Sequence, residues 1–209
     1  MPQLYIAGIH TDTGKTHFCA LFCKAFGYGY FKLVQAGNPQ DRDFIARFLP
    51  KSAILPNGIT LETAASPHIA KHIEQREYAG LDISLPSVPN LLIELAGGLF
   101  SPLDEQVCMI EYMQHFPRAC ILVGRNYVGS INHLLLSVQA LRISKIKLLC
   151  VVIMEDKDSA HSKLVNEFLQ GHVLLQGIPL MRASFFTPST FLQAVSELEA
   201  TLSPILDRI

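Results

Sequence analysis

The chain of 209 residues is long enough to form one of the larger single domains with a sizeable core. Hydrophobic residues make up 49% and charged residues 17%, a balance typical of a well-packed globular protein. The net charge of −1 argues against a general affinity for nucleic acid or anionic lipid. No apolar run approaches the length of a membrane span and the N-terminus lacks a basic region, so we expect a cytoplasmic protein.

The five cysteines do not form a pattern that predicts disulfides or a metal site. Their number is odd, and none stands in a paired CxxC spacing. Cys19 and Cys23 fall on the first predicted helix, and Cys120 and Cys150 lie inside apolar runs. We therefore expect free core thiols in a reducing compartment and no zinc site.

The N-terminal stretch 4–16 carries the most informative motif. An apolar run leads into a polar loop that ends in Gly14-Lys15-Thr16, and helix-forming residues follow. Strand, loop and helix in that order are the context of a phosphate-binding loop, in which backbone N–H groups and the helix N-terminus bind an anion. Lys15 is expected to reach the β- and γ-phosphates, and the Thr16 hydroxyl to contact Mg²⁺. Five residues, one more than usual, separate Gly8 from Gly14.

Strand-like and helical stretches alternate along the rest of the chain. A first strand opens the 4–16 stretch, and the further predicted strands are 30–34, 90–94, 118–123, 147–154 and 173–175. The predicted helices are 15–26, 41–49, 61–75 with an interruption at 66–68, 105–115, 131–141, 159–169 and 189–206. This pattern predicts an α/β protein with the P-loop NTPase fold, a mostly parallel sheet with helices on both faces, in a single domain spanning 1–209.

Polar residues follow the carboxyl ends of the predicted strands, where ligands bind in open α/β sheets. Glu94 ends one strand and could hold Mg²⁺ opposite Thr16, although a strand-end acid can also simply face solvent. Gly97-Gly98 would let the backbone approach a phosphate closely, or form an ordinary tight turn. Lys32 ends another strand and could neutralise an anion during phosphorylation, or be a solvated surface lysine.

Several segments together resemble the dethiobiotin synthetase family. Residues 8–16 resemble its glycine-rich loop, including the longer spacing and the Thr-Asp-Thr portion. Further similar segments follow in the same order, at 32–37, 65–70, 94–103, 129–133 and, more loosely, 177–179. The resemblance covers nearly the whole chain, from residue 4 to about residue 180.

The resemblance implies an ATP- and Mg²⁺-dependent ligase of biotin biosynthesis that joins CO₂ to 7,8-diaminononanoate and closes the ureido ring of dethiobiotin. A carbamate forms on one amine, takes the γ-phosphoryl group, and the second amine displaces phosphate. The resemblance also implies a homodimer in which the site for the substrate carboxylate is shared across the interface.

The family's functional residues, carried over by position, fall into four groups. Lys15 and Lys32 would be catalytic, and Mg²⁺ would be held by Thr16, Asp43 and Glu94. The nucleotide would be bound by Asp12, Thr13, Gly14, Lys15, Thr16, His17, Glu94, Gly97, Gly177 and Pro179. The substrate would be bound by Thr11, Lys32, Ala36, Gly129, Ser130, Ile131 and Asn132.

The helix that begins near residue 41 leaves one assignment open. Asp41 and Asp43 both lie in its first turn, where an acid is favourable for the helix dipole without any function. The sequence does not decide which of the two would be the metal ligand.

Some positions depart from the family pattern. Leu33 stands where proline is usual, Ala36 where a hydroxyl residue is usual, and Leu95 where the first glycine after the acid is usual. The family commonly reads adenine with an asparagine after the strand 147–153, where this chain has Met154-Glu155-Asp156-Lys157. A relaxed nucleotide preference is therefore a hypothesis beside the use of ATP.

A partner-regulated ATPase switch of the chromosome-partitioning type is the alternative function. Those proteins carry a second lysine four residues before the glycine of Gly-Lys-Thr, where this chain has His10. They often carry a basic or amphipathic membrane-binding tail, whereas residues 189–209 contain one arginine and no lysine. A third reading, an amidoligase acting on a corrin-type substrate, would require a glutaminase segment that the sequence does not show.

Overall fold

A parallel sheet of six strands forms the centre of the protein in a computed structural model that describes residues 2–155 and 160–206. In chain order the strands are β1 (Leu4–Gly8), β2 (Gly29–Lys32), β3 (Val34–Ala36), β4 (Ile59–Leu61), β5 (Leu91–Gly98), β6 (Ala119–Arg125), β7 (Leu148–Glu155) and β8 (Leu180–Ser184). The main sheet has the order β2-β5-β1-β6-β7-β8 with parallel pairing throughout, and β3 and β4 form a separate parallel pair.

Helices cover both faces of the main sheet. They are α1 (Lys15–Phe26), α2 (Asp41–Ile45), α3 (Pro67–Ile73), α4 (Met109–His115), α5 (Ser130–Ile143), α6 (Ala160–Gly171) and α7 (Phe191–Leu206). The helices and parallel strands confirm the predicted fold class, whereas the single-domain assignment for 1–209 stays a prediction.

The central strand β1 explains why there are two apolar cores. All five of its residues are buried, and alternate side chains of a strand point to opposite faces. Tyr5 and Ala7 belong to a core that includes residues of α4 and α5. Leu4 and Ile6 belong to a second core that includes residues of α1 and α7. A strand that is apolar on both faces is therefore enclosed between two helical layers.

Some predicted elements are wrong in type or extent. Residues 173–175 form a 3₁₀ turn instead of a strand, and β8 follows them unpredicted. β8 is an edge strand with the sequence LMRAS, so it lacks the continuous apolar run of the central strands. The predicted helix 61–75 is in fact the end of β4 followed by α3, and β5 continues through the predicted loop to Gly98.

The helices of the described ranges are all too short or too polar to cross a bilayer.

The connection between β5 and α4 is fixed by one buried carboxylate. Asp104 accepts hydrogen bonds from the backbone N–H groups of Gly80, Gln106 and Val107, at 2.5, 2.8 and 2.7 Å. Burial opposes ionisation, but these donors lower the pKa of Asp104 below its ordinary value. Backbone hydrogen bonds join this segment to Ser101 and Leu103, so Asp104 stabilises the connection that follows β5.

We expect Asp104→Asn to lower the free energy of unfolding by about 1–3 kcal/mol at pH 7, because an amide nitrogen cannot accept from Gly80. A carboxylate whose pKa is lowered in the folded state contributes stability above its unfolded pKa and loses it as pH falls through the folded value. The difference between wild type and variant should therefore shrink below about pH 4. Urea unfolding at several pH values measures it.

The neighbouring variant Glu105→Gln is the matched control. Glu105 is exposed and forms a surface ion pair with Lys71, so its removal should leave the free energy of unfolding nearly unchanged. An equal loss in both variants would contradict the anchoring role of Asp104.

Candidate active site

The loop between β1 and α1 has the backbone shape of an anion-binding loop. Asp12 and Gly14 have positive φ angles of 58° and 89°, and Gly14 directly precedes the first turn of α1. A Cβ atom at Gly14 would lie 2.8 Å from Met154 Cγ and 2.8 Å from Phe185 Cζ, so this position admits only glycine. The loop is thus held tightly between the start of α1 and the ends of β7 and β8.

Two buried lysines, Lys15 and Lys32, lie close to this loop. Lys15 is buried, and its Nζ donates to the His10 carbonyl at 3.2 Å. Burial, followed by the charge of Lys32, lowers the pKa of Lys15 to about 8. Lys32 is also buried, which opposes its charge, but Glu94 and Asp41 raise its pKa above the ordinary value. Two buried cations at the end of the sheet form a binding environment for an anion.

Glu94 is the most enclosed charged residue of the site, with no exposed surface. Its Oε1 accepts from Lys32 Nζ at 2.7 Å and from Thr16 Oγ1 at 3.0 Å. Its Oε2 accepts from the Tyr30 hydroxyl at 2.8 Å. Burial and Glu94 raise the pKa of Tyr30, so its hydroxyl remains a donor, and the same two causes raise the pKa of Cys19. The charge of Glu94 is thus stabilised from several elements.

The two acids at the start of α2 have different surroundings. Asp41 Oδ2 lies 2.5 Å from Lys32 Nζ, and the Asp41 N–H donates to Gln35 Oε1 at 3.0 Å. Asp43 is exposed, and only Asp41 of the two lines the cavity described next. Asp41, and not Asp43, therefore lies in a charged cluster with Lys32 and Glu94.

A cavity of about 720 Å³ opens at the carboxyl ends of the strands above these residues. Many of the predicted site residues line it: Thr11, Asp12, Thr13, Gly14, Lys15, Thr16, His17, Lys32, Ala36, Glu94 and Gly97. Gln35, Asp41, Ser101 and Phe185 also line it, as do residues of the 64–67 segment. The convergence of strand ends predicted from the sequence is therefore found in the structure.

Other predicted site residues lie outside this cavity. Gly177 and Pro179 precede β8, and the Pro179 carbonyl accepts from Val151 near the start of β7. Because β7 and β8 are parallel, this position lies toward the amino ends of the strands, whereas the cavity lies at their carboxyl ends. Phe185, directly after β8, lines the cavity instead. The strand β8, which the sequence did not predict, lies between Pro179 and Phe185 in the chain.

A second, more apolar cavity of about 530 Å³ adjoins the first and shares Thr11 and Ser101 with it. Its remaining lining residues are Ile9, His10, Gly98, Leu99, Phe100, Pro102, His133, Leu136 and Ser137. Residues 129–132 line neither cavity, although three residues of α5 line the second one. Gly129, with φ of 96°, precedes the first turn of this helix.

Tyr30 is a site residue that the sequence analysis missed. It stands two positions before Lys32 on β2, so both side chains point to the same face of the sheet. That spacing was the available signal, because Lys32 pairs in register with Glu94 on β5. A tyrosine in an apolar strand is otherwise an ordinary core residue.

Comparison with known proteins identifies the family. A family model described as an AAA domain matches residues 2–183. The ATP-dependent dethiobiotin synthetase BioD of Campylobacter jejuni is 49% identical, covering 91% of this chain and 91% of its own. The enzyme of the same name from Paramagnetospirillum magneticum is 32% identical, covering 91% and 97%. The septum site-determining protein MinD of Pyrococcus horikoshii, complexed with Mg-ADP, matches with a TM-score of 0.54 at 13% identity, covering 94% and 85%, a likeness of fold alone. From its sequence relatives, the chain belongs to the ATP-dependent dethiobiotin synthetase family.

Proposed function

We propose that this chain is an ATP-dependent dethiobiotin synthetase that joins CO₂ to 7,8-diaminononanoate and closes the ureido ring. Family membership supports this activity. The observation that carries it is the buried Lys32–Glu94 pair, 2.7 Å apart, beside the phosphate-binding loop. The pair lines the first cavity, which shares Thr11 and Ser101 with the second. Two adjoining cavities provide places for the nucleotide and for the diamine.

The reaction needs charge stabilisation and positioning more than covalent help from the protein. One amine attacks CO₂, which gives a carbamate and releases a proton. A carbamate oxygen then attacks the γ-phosphorus of ATP, and the bond to the bridging oxygen breaks as ADP leaves. Lys15 and Lys32 stabilise the negative charge on these oxygens. The second amine finally attacks the carbonyl carbon and gives up a proton, and phosphate leaves as the ring closes.

The residues at the base of the first cavity fit Mg²⁺. The Thr16 hydroxyl and the Glu94 carboxylate are hard oxygen donors 3.0 Å apart, and Mg²⁺ prefers such ligands together with phosphate oxygens. We infer that these two residues and Asp41 hold the ion. Asp41 is preferred to Asp43 because it contacts Lys32 in the cavity while Asp43 is exposed. When bound, Mg²⁺ neutralises charge on the β- and γ-phosphates.

The second cavity suits the hydrocarbon chain of the diamine. Its lining is largely apolar, and it leads from Thr11 toward α5. We infer that the substrate carboxylate is bound by backbone N–H groups at the start of α5, residues 129–132. These residues line neither cavity of a single chain, which is compatible with a carboxylate site shared between two copies. The homodimer and the cytoplasmic location stay predictions.

The segment at the end of β7, where the family commonly reads adenine with an asparagine, has a different sequence in this chain. Glu155 is buried, accepts from Asn166 at 2.8 Å and forms an ion pair with Arg182. Its carboxylate is therefore engaged by the protein, while Asp156 and Lys157 lie outside the described residues. The hypothesis of a relaxed base preference concerns an aspartate near this loop, and it stays a prediction.

The partition-type ATPase switch is the alternative function. Its signature lysine is replaced by His10, whose side chain lines the second cavity. The two functions differ in their products, since a switch hydrolyses ATP without consuming a diamine.

We expect Lys15→Ala to lower dethiobiotin formation at least about 100-fold, because it removes one of two ammonium groups that stabilise the transferred phosphoryl group. The assay combines purified enzyme with diaminononanoate, bicarbonate, Mg²⁺ and ATP, and detects the product by mass. Near-normal turnover in the variant would refute the assignment of the loop. Absence of product from the wild type with any nucleotide would refute the enzyme.

The two acids of α2 provide a second prediction. Asp41→Asn should lower kcat/KM about tenfold or more, because it removes a carboxylate from the Lys32 cluster, whereas Asp43→Asn should cost clearly less. Steady-state kinetics at several Mg²⁺ concentrations measure both variants. The reverse order would return the metal role to Asp43.

Nucleotide preference is tested by turnover with ATP, GTP and CTP at equal concentration. ATP is expected to support turnover, and turnover with the other two within about tenfold of it would support relaxed recognition, since one base-specific hydrogen-bonded contact supplies about 1–3 kcal/mol. A preference for ATP well above that range would refute the relaxed reading.

A further inference from the structure

We propose that Tyr30 is a positioning residue that orients the Glu94 carboxylate for binding of the metal–nucleotide complex. The inference deepens the proposed function, since it concerns the acid assigned to Mg²⁺. It rests on contacts of the described residues and gives Tyr30 a role beyond filling the core.

The two oxygens of Glu94 face different partners. Oε1 lies with Thr16 and Lys32 at the cavity wall, at 3.0 and 2.7 Å. Oε2 accepts from the Tyr30 hydroxyl at 2.8 Å, on the enclosed side, since Tyr30 has no exposed surface and does not line the cavity. The hydroxyl thereby fixes which oxygen is presented to the cavity.

The surroundings explain why one hydroxyl should matter. The Tyr30 ring belongs to the apolar core that includes Cys19, Phe22 and Leu92, so solvent cannot replace its hydrogen bond to Glu94. A buried charged acceptor that loses a donor bears much of its desolvation cost. The Cys19 thiol, whose pKa is raised by burial and by Glu94, is a weak donor and a poor substitute for the tyrosine hydroxyl.

Loss of the hydroxyl should therefore change the ligand set. A carboxylate released at Oε2 can rotate about its terminal bond, which has only broad torsional preferences. Rotation moves Oε1 away from Thr16, which is proposed with Asp41 as a further protein ligand of the ion. Groups that orient metal ligands from behind typically contribute about 10- to 100-fold to metal affinity or activity.

Tyr30→Phe tests this role, because it removes only the hydroxyl and keeps the ring in the core. Mn²⁺ is the probe, and its dissociation constant is measured by electron paramagnetic resonance on the full chain with saturating ADP. We expect a rise of about 10- to 100-fold. A parallel loss of kcat with little change in KM for the diamine is expected in steady-state assays.

Tyr5→Phe is the matched control. Tyr5 is equally buried, but its hydroxyl donates at 2.9 Å to the Phe116 carbonyl, in the other core. Both variants should lower the thermal unfolding midpoint, since each removes one buried hydroxyl, but only Tyr30→Phe should weaken Mn²⁺ binding. Wild-type Mn²⁺ affinity in Tyr30→Phe, or equal weakening in both variants, would overturn the proposal.

A double variant separates positioning from a general disturbance. If Tyr30 acts through Glu94, adding Tyr30→Phe to Glu94→Gln should change Mn²⁺ affinity no further. Additive effects would contradict action through Glu94. These titrations need no diamine, so they decide the role of Tyr30 even if the wild type forms no dethiobiotin, which would count against the proposed function alone.

Discussion

The buried charge of Glu94 is the constraint on which the rest of the site depends. A fully enclosed carboxylate is costly unless its charge is balanced and its oxygens accept hydrogen bonds. Lys32 supplies the opposite charge at 2.7 Å, and Thr16 and Tyr30 supply neutral donors. These partners come from α1 and β2, so the phosphate-binding loop, the second strand and the fifth strand are tied to one carboxylate. Asp41 extends the same cluster to the start of α2.

The sequence predicts well those features in which a local pattern and the fold agree. The phosphate-binding loop is predicted from the apolar run of β1, the Gly14-Lys15-Thr16 motif and the start of α1. Because ligands bind at the carboxyl ends of parallel strands, Lys32 and Glu94 are then expected near this loop. Contacts that depend on strand register, or on the direction in which the chain leaves the sheet, are harder to predict from the sequence. Tyr30 resembles any core tyrosine, and the choice between Asp41 and Asp43 depends on the direction in which α2 leaves the sheet. β8 is an edge strand with two polar residues, so its apolar pattern is weak, and the nucleotide-binding roles of Gly177 and Pro179 before it stay predictions.

Departures from the family pattern acquire a structural explanation. Leu95 stands in place of a glycine, but β5 continues to Gly98, and the Leu95 side chain is buried in a core. The position after the acid is thus a strand position, where an apolar side chain stabilises the sheet. Near Ala36, the buried Gln35 side chain donates to the Gly37 carbonyl and accepts from Asp41. The segment that lacks the usual hydroxyl is therefore held by its neighbour.

The alignment of β2 with β5 gives the Lys32–Glu94 pair a role during folding as well. Lys32 and Glu94 are 62 positions apart in the chain and become register partners only when these strands pair correctly. A slip of one residue on β5 would turn Glu94 toward the opposite core, among apolar side chains and away from Lys32. An unpaired buried carboxylate would make that misaligned sheet strongly unfavourable. The residues proposed to bind metal and phosphate thus also select the correct strand alignment, so substitutions there can impair assembly as well as turnover.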